Sequence, residues 1–136
     1  MADVSGITAV KPGTGASVTT GVYGATVTIG QLLYKDASDG KLKLADSDLS
    51  EAAATAIAIA VTPGIDGEKG VIITDGSVIL TGATLVVGGT YCASATAGGI
   101  KPESEVATSQ RVTIVGVAAT ATQLNLSFLA TNIVHA

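Results

Sequence analysis

Residues 78–102 read VILTGATLVVGGTYCASATAGGIKP, and this stretch decides the fold class. An apolar run, Val78-Ile79-Leu80, breaks at Thr81-Gly82 and resumes at Ala83-Thr84-Leu85-Val86-Val87. Gly88-Gly89 then turns the chain into Thr90-Tyr91-Cys92-Ala93, and Gly98-Gly99 precedes Ile100. Short β-branched segments punctuated by glycine pairs predict strands joined by tight turns. The stretch carries no group suited to acid–base or nucleophilic chemistry. It reads as scaffold.

The same punctuation extends outward. Ala25-Thr26-Val27-Thr28-Ile29 alternates apolar and polar with a period of two, and Gln31–Tyr34 resumes a strand after Gly30. Asp36–Gly40 predicts a hairpin loop between that strand and Lys41-Leu42-Lys43-Leu44, with Leu42 and Leu44 on one face. Ala56–Val61 alternates small and large residues, as expected of a buried strand whose small face packs tightly. Pro63–Gly70 is a turn-rich loop. Asp75-Gly76, between Val71–Thr74 and Val78–Leu80, predicts a hairpin turn. Arg111–Val117 and Leu124–Leu129 predict a last hairpin around Thr120–Gln123, with Leu124, Leu126 and Phe128 on one face, Asn125 and Ser127 on the other, and Thr131–Ala136 as a tail. One short helix is expected at Asp46–Ala54, where Asp48 and Glu51 have capping-box spacing before an alanine run. The sum is an all-β fold, a small antiparallel barrel or sandwich of about eight to ten strands.

The first 21 residues differ. Lys11-Pro12-Gly13 breaks them, yet their Val, Ile and Thr content is high for a disordered tail. They predict an extended N-terminal arm (1–21) preceding a single β-rich domain (22–136). Such an arm would order on a partner or on a neighbouring subunit, with Val4, Ile7, Val10, Pro12, Val18 and Val22 as its contact residues.

Composition narrows the function. Hydrophobic residues make 47% of the chain but aromatics only 3% and charged residues 13%. An ordinary domain is about a quarter charged. A surface so poor in charge and rich in Ala and Thr is either aggregation-prone or suited to being covered by partners. With a net charge of −4 and scattered basic residues, a nucleic-acid partner is not expected. No apolar run approaches the roughly 18–20 residues of a membrane helix. The Met1–Gly6 stretch lacks the basic and apolar regions of a signal peptide, so none is expected. Cys92, the single cysteine, reads as a small buried hydrophobe, and His135, the single histidine, is penultimate. These residues offer neither a zinc site nor a Cys/His dyad, and no phosphate-loop or nucleophile-elbow spacing occurs. Asp36, Asp39, Asp46 and Asp48 match no calcium-loop spacing; turn and cap duty explains each. No enzyme activity and no cofactor or metal are expected.

One resemblance adds to this reading. It is carried by Gly30-Gln31-Leu32-Leu33-Tyr34, by Asp39-Gly40-Lys41-Leu42 with Ala45-Asp46, and by the alanine-rich 52–60 stretch. Gly82–Gly88, Tyr91, Ser94–Ile100 and Pro102 continue it, and Val115-Gly116-Val117-Ala118 and Leu124-Asn125-Leu126 close it. Over roughly residues 22–130 the chain resembles the capsid decoration (cement, head-stabilising) proteins of tailed bacteriophages. The resemblance implies a structural virion protein on the outer capsid surface, made in the bacterial cytoplasm, which bridges neighbouring major capsid subunits. It also implies a small homo-oligomer, a trimer more often than a dimer. A phage fibre or receptor-binding module and a non-viral self-assembling surface protein are the alternatives.

Overall fold

The computed structural model describes residues 4, 6–46, 55–94, 97–102 and 111–134, with side chains from 113 to 129 in the last span. Among the described residues ten strands form one antiparallel sheet. They are β1 (Ala9–Pro12), β2 (Ser17–Val22), β3 (Leu32–Lys35), β4 (Leu42–Leu44) and β5 (Ala58–Ala60). β6 (Lys69–Thr81), β7 (Thr90–Ala93), β8 (Ile100–Pro102), β9 (Arg111–Ala118) and β10 (Gln123–Val134) follow. The order is β4-β3-β5-β6-β10-β9-β7-β8, with β1 and β2 also on β6. The all-β expectation holds, and the sheet curls into a half-barrel. Among the described residues there is no helix. The proposed cap residues Asp48 and Glu51 lie outside them, as does His135.

β6 is the spine. Its 13 residues pair with β2 and β5 along the first half and with β1 and β10 along the second. The hairpin expected at Asp75-Gly76 is therefore corrected: the chain passes straight through as a bulged strand. Ser17 pairs with Asp75 but Val18 with Ile73, so β6 holds one extra residue, Thr74, beside this dipeptide. Gly76 has φ 83°, and a side chain there would run into the Gly15 backbone. The local signal for a φ > 0 glycine was right. The edges of β6, both already paired, make it a bulge.

Three hairpins stand as expected: β3–β4 through Asp36–Gly40, β7–β8 through the Gly98 turn, and β9–β10. Two expected strands do not form. Ala25–Ile29 contributes only an isolated bridge between Val27 and Gly64, and Ala83–Val87 is an irregular loop. The 131–134 part of the expected tail continues β10.

Strands near β6 bury both faces, and successive residues feed two separate clusters. Leu32, Ile59, Ile73, Val78, Leu80 and Leu124 lie in the larger, Leu33, Ala58, Ala60 and Ile72 in the smaller, with Tyr23 and Leu42. The small face of β5 thus lies in the cluster that holds the tyrosine ring. Gly70 has no room for even a methyl group beneath that ring, and the Tyr23 hydroxyl donates to the Thr62 carbonyl at 2.6 Å. Burial pushes the Tyr23 phenol above its ordinary value.

The described residues from Val4 to Gly24 serve this architecture directly. β1 and β2 lie end to end against β6. Before them, the Val4 N–H donates to the Ile100 carbonyl of β8 (2.7 Å). After them, the Gly24 N–H donates to the Leu42 carbonyl of β4 (2.7 Å). The stretch is extended, as expected, but it clasps both outermost strands of its own sheet.

Gly76→Val should lower stability by at least roughly 1–3 kcal/mol, the usual cost of a side chain held at an unfavourable φ. It should appear as a lower urea midpoint with an unchanged slope. Gly67→Val, at φ 90° but with open space around it, should cost less.

Candidate interaction surface

The six residues expected to contact a partner divide sharply. Val10 is 6% exposed and belongs to the core, while Val4 and Ile7 pack against it, partly buried. Ile7 also covers Gly30, whose absent side chain leaves it room. Val22 is half-buried beside the clasp at Tyr23. Pro12 is exposed, paired with Val78, and Val18 is 51% exposed on β2. β1 and β2 bring Val10, Pro12, Val18 and Val22 along β6, and of all six only Pro12 and Val18 are presented outward.

The larger apolar exposures lie elsewhere. Val86 and Val87 are 59% and 68% exposed in the loop after β6, and Ile65 is 59% exposed in the turn before it. In sequence Val86 and Val87 read as part of a strand, with nothing to mark them for the surface. The readable signal was Gly88-Gly89, which places the preceding residues at a turn. This loop is firmly tethered. Leu85 N–H donates to Ala121 (2.7 Å), Gly88 N–H to Ala118 (2.8 Å), and Ala118 N–H to Gly89 (3.0 Å). The buried Tyr91 hydroxyl accepts from Val86 N–H at 2.9 Å. Those bonds set the loop alongside the end of β9, where Val117 is also exposed.

The charged groups have structural work. Asp36 Oδ1 accepts from the Ser38 N–H and hydroxyl, and the Lys43 ammonium lies 2.7 Å from Asp36 and 3.2 Å from Asp39. The Lys43 hydrogen bond, helped by those from Ser38, holds the Asp36 carboxyl well below the usual carboxylate range. The hydrogen bond from the Lys41 N–H, chiefly, lowers Asp39. Bonds to Asp36 and Asp39 raise Lys43 above the usual lysine value. These groups stay ionised around neutrality, so they pin the hairpin rather than relay protons. Lys41 reaches Asp66 at 3.2 Å. Asp48 lies outside the described residues. Cys92 is buried, as expected. Among the described residues no group of three or more His, Cys, Asp or Glu could hold a metal ion, and no helix is long and apolar enough to cross a membrane.

Comparisons with protein-family models, with curated proteins and with solved structures find no match to this chain.

Because the Asp36 carboxyl is depressed in the folded state, its contribution is complete above an ordinary carboxylate value of about 4 and is lost as pH falls through the folded value. Lys43→Gln should let the Asp36 carboxyl titrate nearer its ordinary value by carbon-detected NMR. It should also make stability fall less steeply with acid below that pH.

Proposed function

We propose that this protein is a structural virion component that decorates the outside of a phage capsid and braces neighbouring major capsid subunits. The observation that carries the reading is the Val86–Val87 tip, an apolar pair exposed on a loop that backbone bonds and Tyr91 hold in place. A tethered apolar tip docks with little ordering entropy to lose, which makes even a small contact productive. The tip follows β6 and Ile65 precedes it. Thirteen residues of strand place the two apolar ends up to roughly 40 Å apart. A stiff spacer with an apolar contact at each end fits a brace between subunits. The charge-poor composition and the resemblance over residues 22–130 support the same reading. Repetition over a capsid lattice then converts modest contacts into firm attachment through effective concentration.

Co-sedimentation of the purified protein with heads of its parent phage tests this. Saturable binding near one copy per major capsid subunit, or a simple fraction of it, is expected. Val86→Asp with Val87→Asp should abolish binding without changing the circular dichroism spectrum, because both side chains are exposed. Only a few copies per head would favour a fibre or receptor-binding module instead. Removing residues 1–21 is a poor substitute, since it strips β1 and most of β2 from the sheet.

A further inference from the structure

We infer that β2 is a self-pairing edge, through which two copies of this chain join antiparallel across a two-fold axis into one continuous sheet. The inference concerns the purified chain and does not rest on the capsid reading.

The hydrogen-bond alternation fixes which way the edge faces. Tyr23 N–H donates to Glu68 (2.8 Å), and the Tyr23 carbonyl accepts from Gly67 N–H (2.7 Å). Counting back along the strand, Thr19 and Gly21 direct their backbone groups at β6, opposite Ile72 and Gly70. Val18 and Thr20 direct theirs away. Among the described residues β2 pairs with β6 and no other strand. The edge therefore offers donors and acceptors in the spacing that an antiparallel strand matches.

Other edges of the sheet carry the features that discourage such pairing. β1 holds Lys11 and Pro12, β4 holds Lys43 with its ion pairs, and β8 ends in Lys101-Pro102 beside Val4. β2 reads Ser-Val-Thr-Thr-Gly-Val: no charge, no proline, and two β-branched pairs. Ser17 through Thr20 are all exposed.

Charge and symmetry favour a second copy as the occupant. An uncharged strand sets no like charge against itself across a two-fold axis. On β6, Asp75 lies opposite Ser17 and Lys69 opposite Val22, both exposed. Antiparallel pairing of two β2 strands turns the Lys69 end of one copy toward the Asp75 end of the other; parallel pairing would align like with like. These charges sit three strand spacings apart, roughly 14 Å, so they select orientation and add little strength. In the natural register Thr19 faces its own symmetry mate, and Val18 and Thr20 exchange backbone bonds in two reciprocal pairs. Both Thr19 side chains then lie on the side of a groove of about 240 Å³ that Thr19, Gly21, Leu42 and Ile72 help to line. Beyond Gly21 the bond from Gly24 to Leu42 occupies the edge, which limits the seam to about Ser17–Gly21.

Sedimentation equilibrium from micromolar to submillimolar concentration tests the seam. The wild-type chain should approach twice its 13.3 kDa mass. Thr20→Pro deletes an outward N–H without touching a bond to β6, so it should give a folded monomer. Val18→Lys, at an exposed position, should do the same and guards against a folding defect in the proline variant. Hydrogen exchange should show the Val18 and Thr20 amides protected in the wild type, and the Val18 amide unprotected in Thr20→Pro. A wild-type chain that stays monomeric throughout overturns the inference. So does undiminished association in either folded variant, which would place the contact elsewhere, or rapid exchange at Val18 and Thr20 in an associated wild type.

Discussion

A strand with hydrogen-bonding groups on two edges must satisfy both edges wherever it is buried, and in β6 that demand organises everything else. Ile72, Ile73, Val78 and Leu80 lie in the interior, so the backbone groups at these positions are buried and need strand partners. Four strands meet that need, two for each half. The bulge at Thr74, just before Asp75-Gly76, reconciles them: one extra residue in β6 resets the pleat, so β1 and β2 can follow the same edge in line. Gly76 is obligatory here because its backbone is left-handed and the Gly15 backbone occupies the space a side chain would need.

The N-terminal stretch is best understood from the same demand. A sheet that curls leaves its outermost strands, β4 and β8, as open edges. The segment that pairs with β6 continues at both ends to reach them, at Leu42 and at Ile100. Glycine makes the close approach feasible. Gly21 admits the Leu42 side chain and Gly70 admits the Tyr23 ring, contacts that any larger residue would block. Val10, Val4 and Ile7 are apolar because they complete the larger core, and this accounts for a β-branched content that a solvent-exposed tail has no reason to keep.

How far the fold could be read in advance follows from the range of the deciding interaction. The β3–β4, β7–β8 and β9–β10 hairpins are closed by residues next to one another in sequence: Asp36 with Ser38, the Gly98 turn, and Thr120 with Gln123. Each was legible. At Asp75-Gly76 the same local chemistry serves a hairpin or a bulge equally well, and the choice depends on β2 and β10, which lie about 50 residues away on either side in the register pairs. Ala83–Val87 has strand composition, but its backbone finds partners in the β9–β10 turn at Ala121 and in the Tyr91 hydroxyl instead. Hence Val86 and Val87 could not be placed on the surface by periodicity. The interaction residues were only partly legible for a related reason: an apolar residue in an extended segment looks alike whether it faces the core, as Val10 does, or solvent, as Val18 does.

The distribution of charge links the fold to what it presents. Charged side chains are few, and a group of them, Asp36, Asp39, Lys41, Lys43 and Asp66, is committed to pinning the β3–β4 hairpin and the turn before β6. That commitment protects one edge of the sheet from adventitious pairing while leaving β2 and the Val86–Val87 tip uncharged. Charge placed on either would cost little for folding, since these positions are exposed. Leaving them apolar and unguarded has a stability rationale neither in the core nor in the hairpins. Their chemistry is what both proposals rest on: unpaired backbone groups along β2 suit an adjoining strand, and exposed apolar side chains at the tip suit a hydrophobic contact.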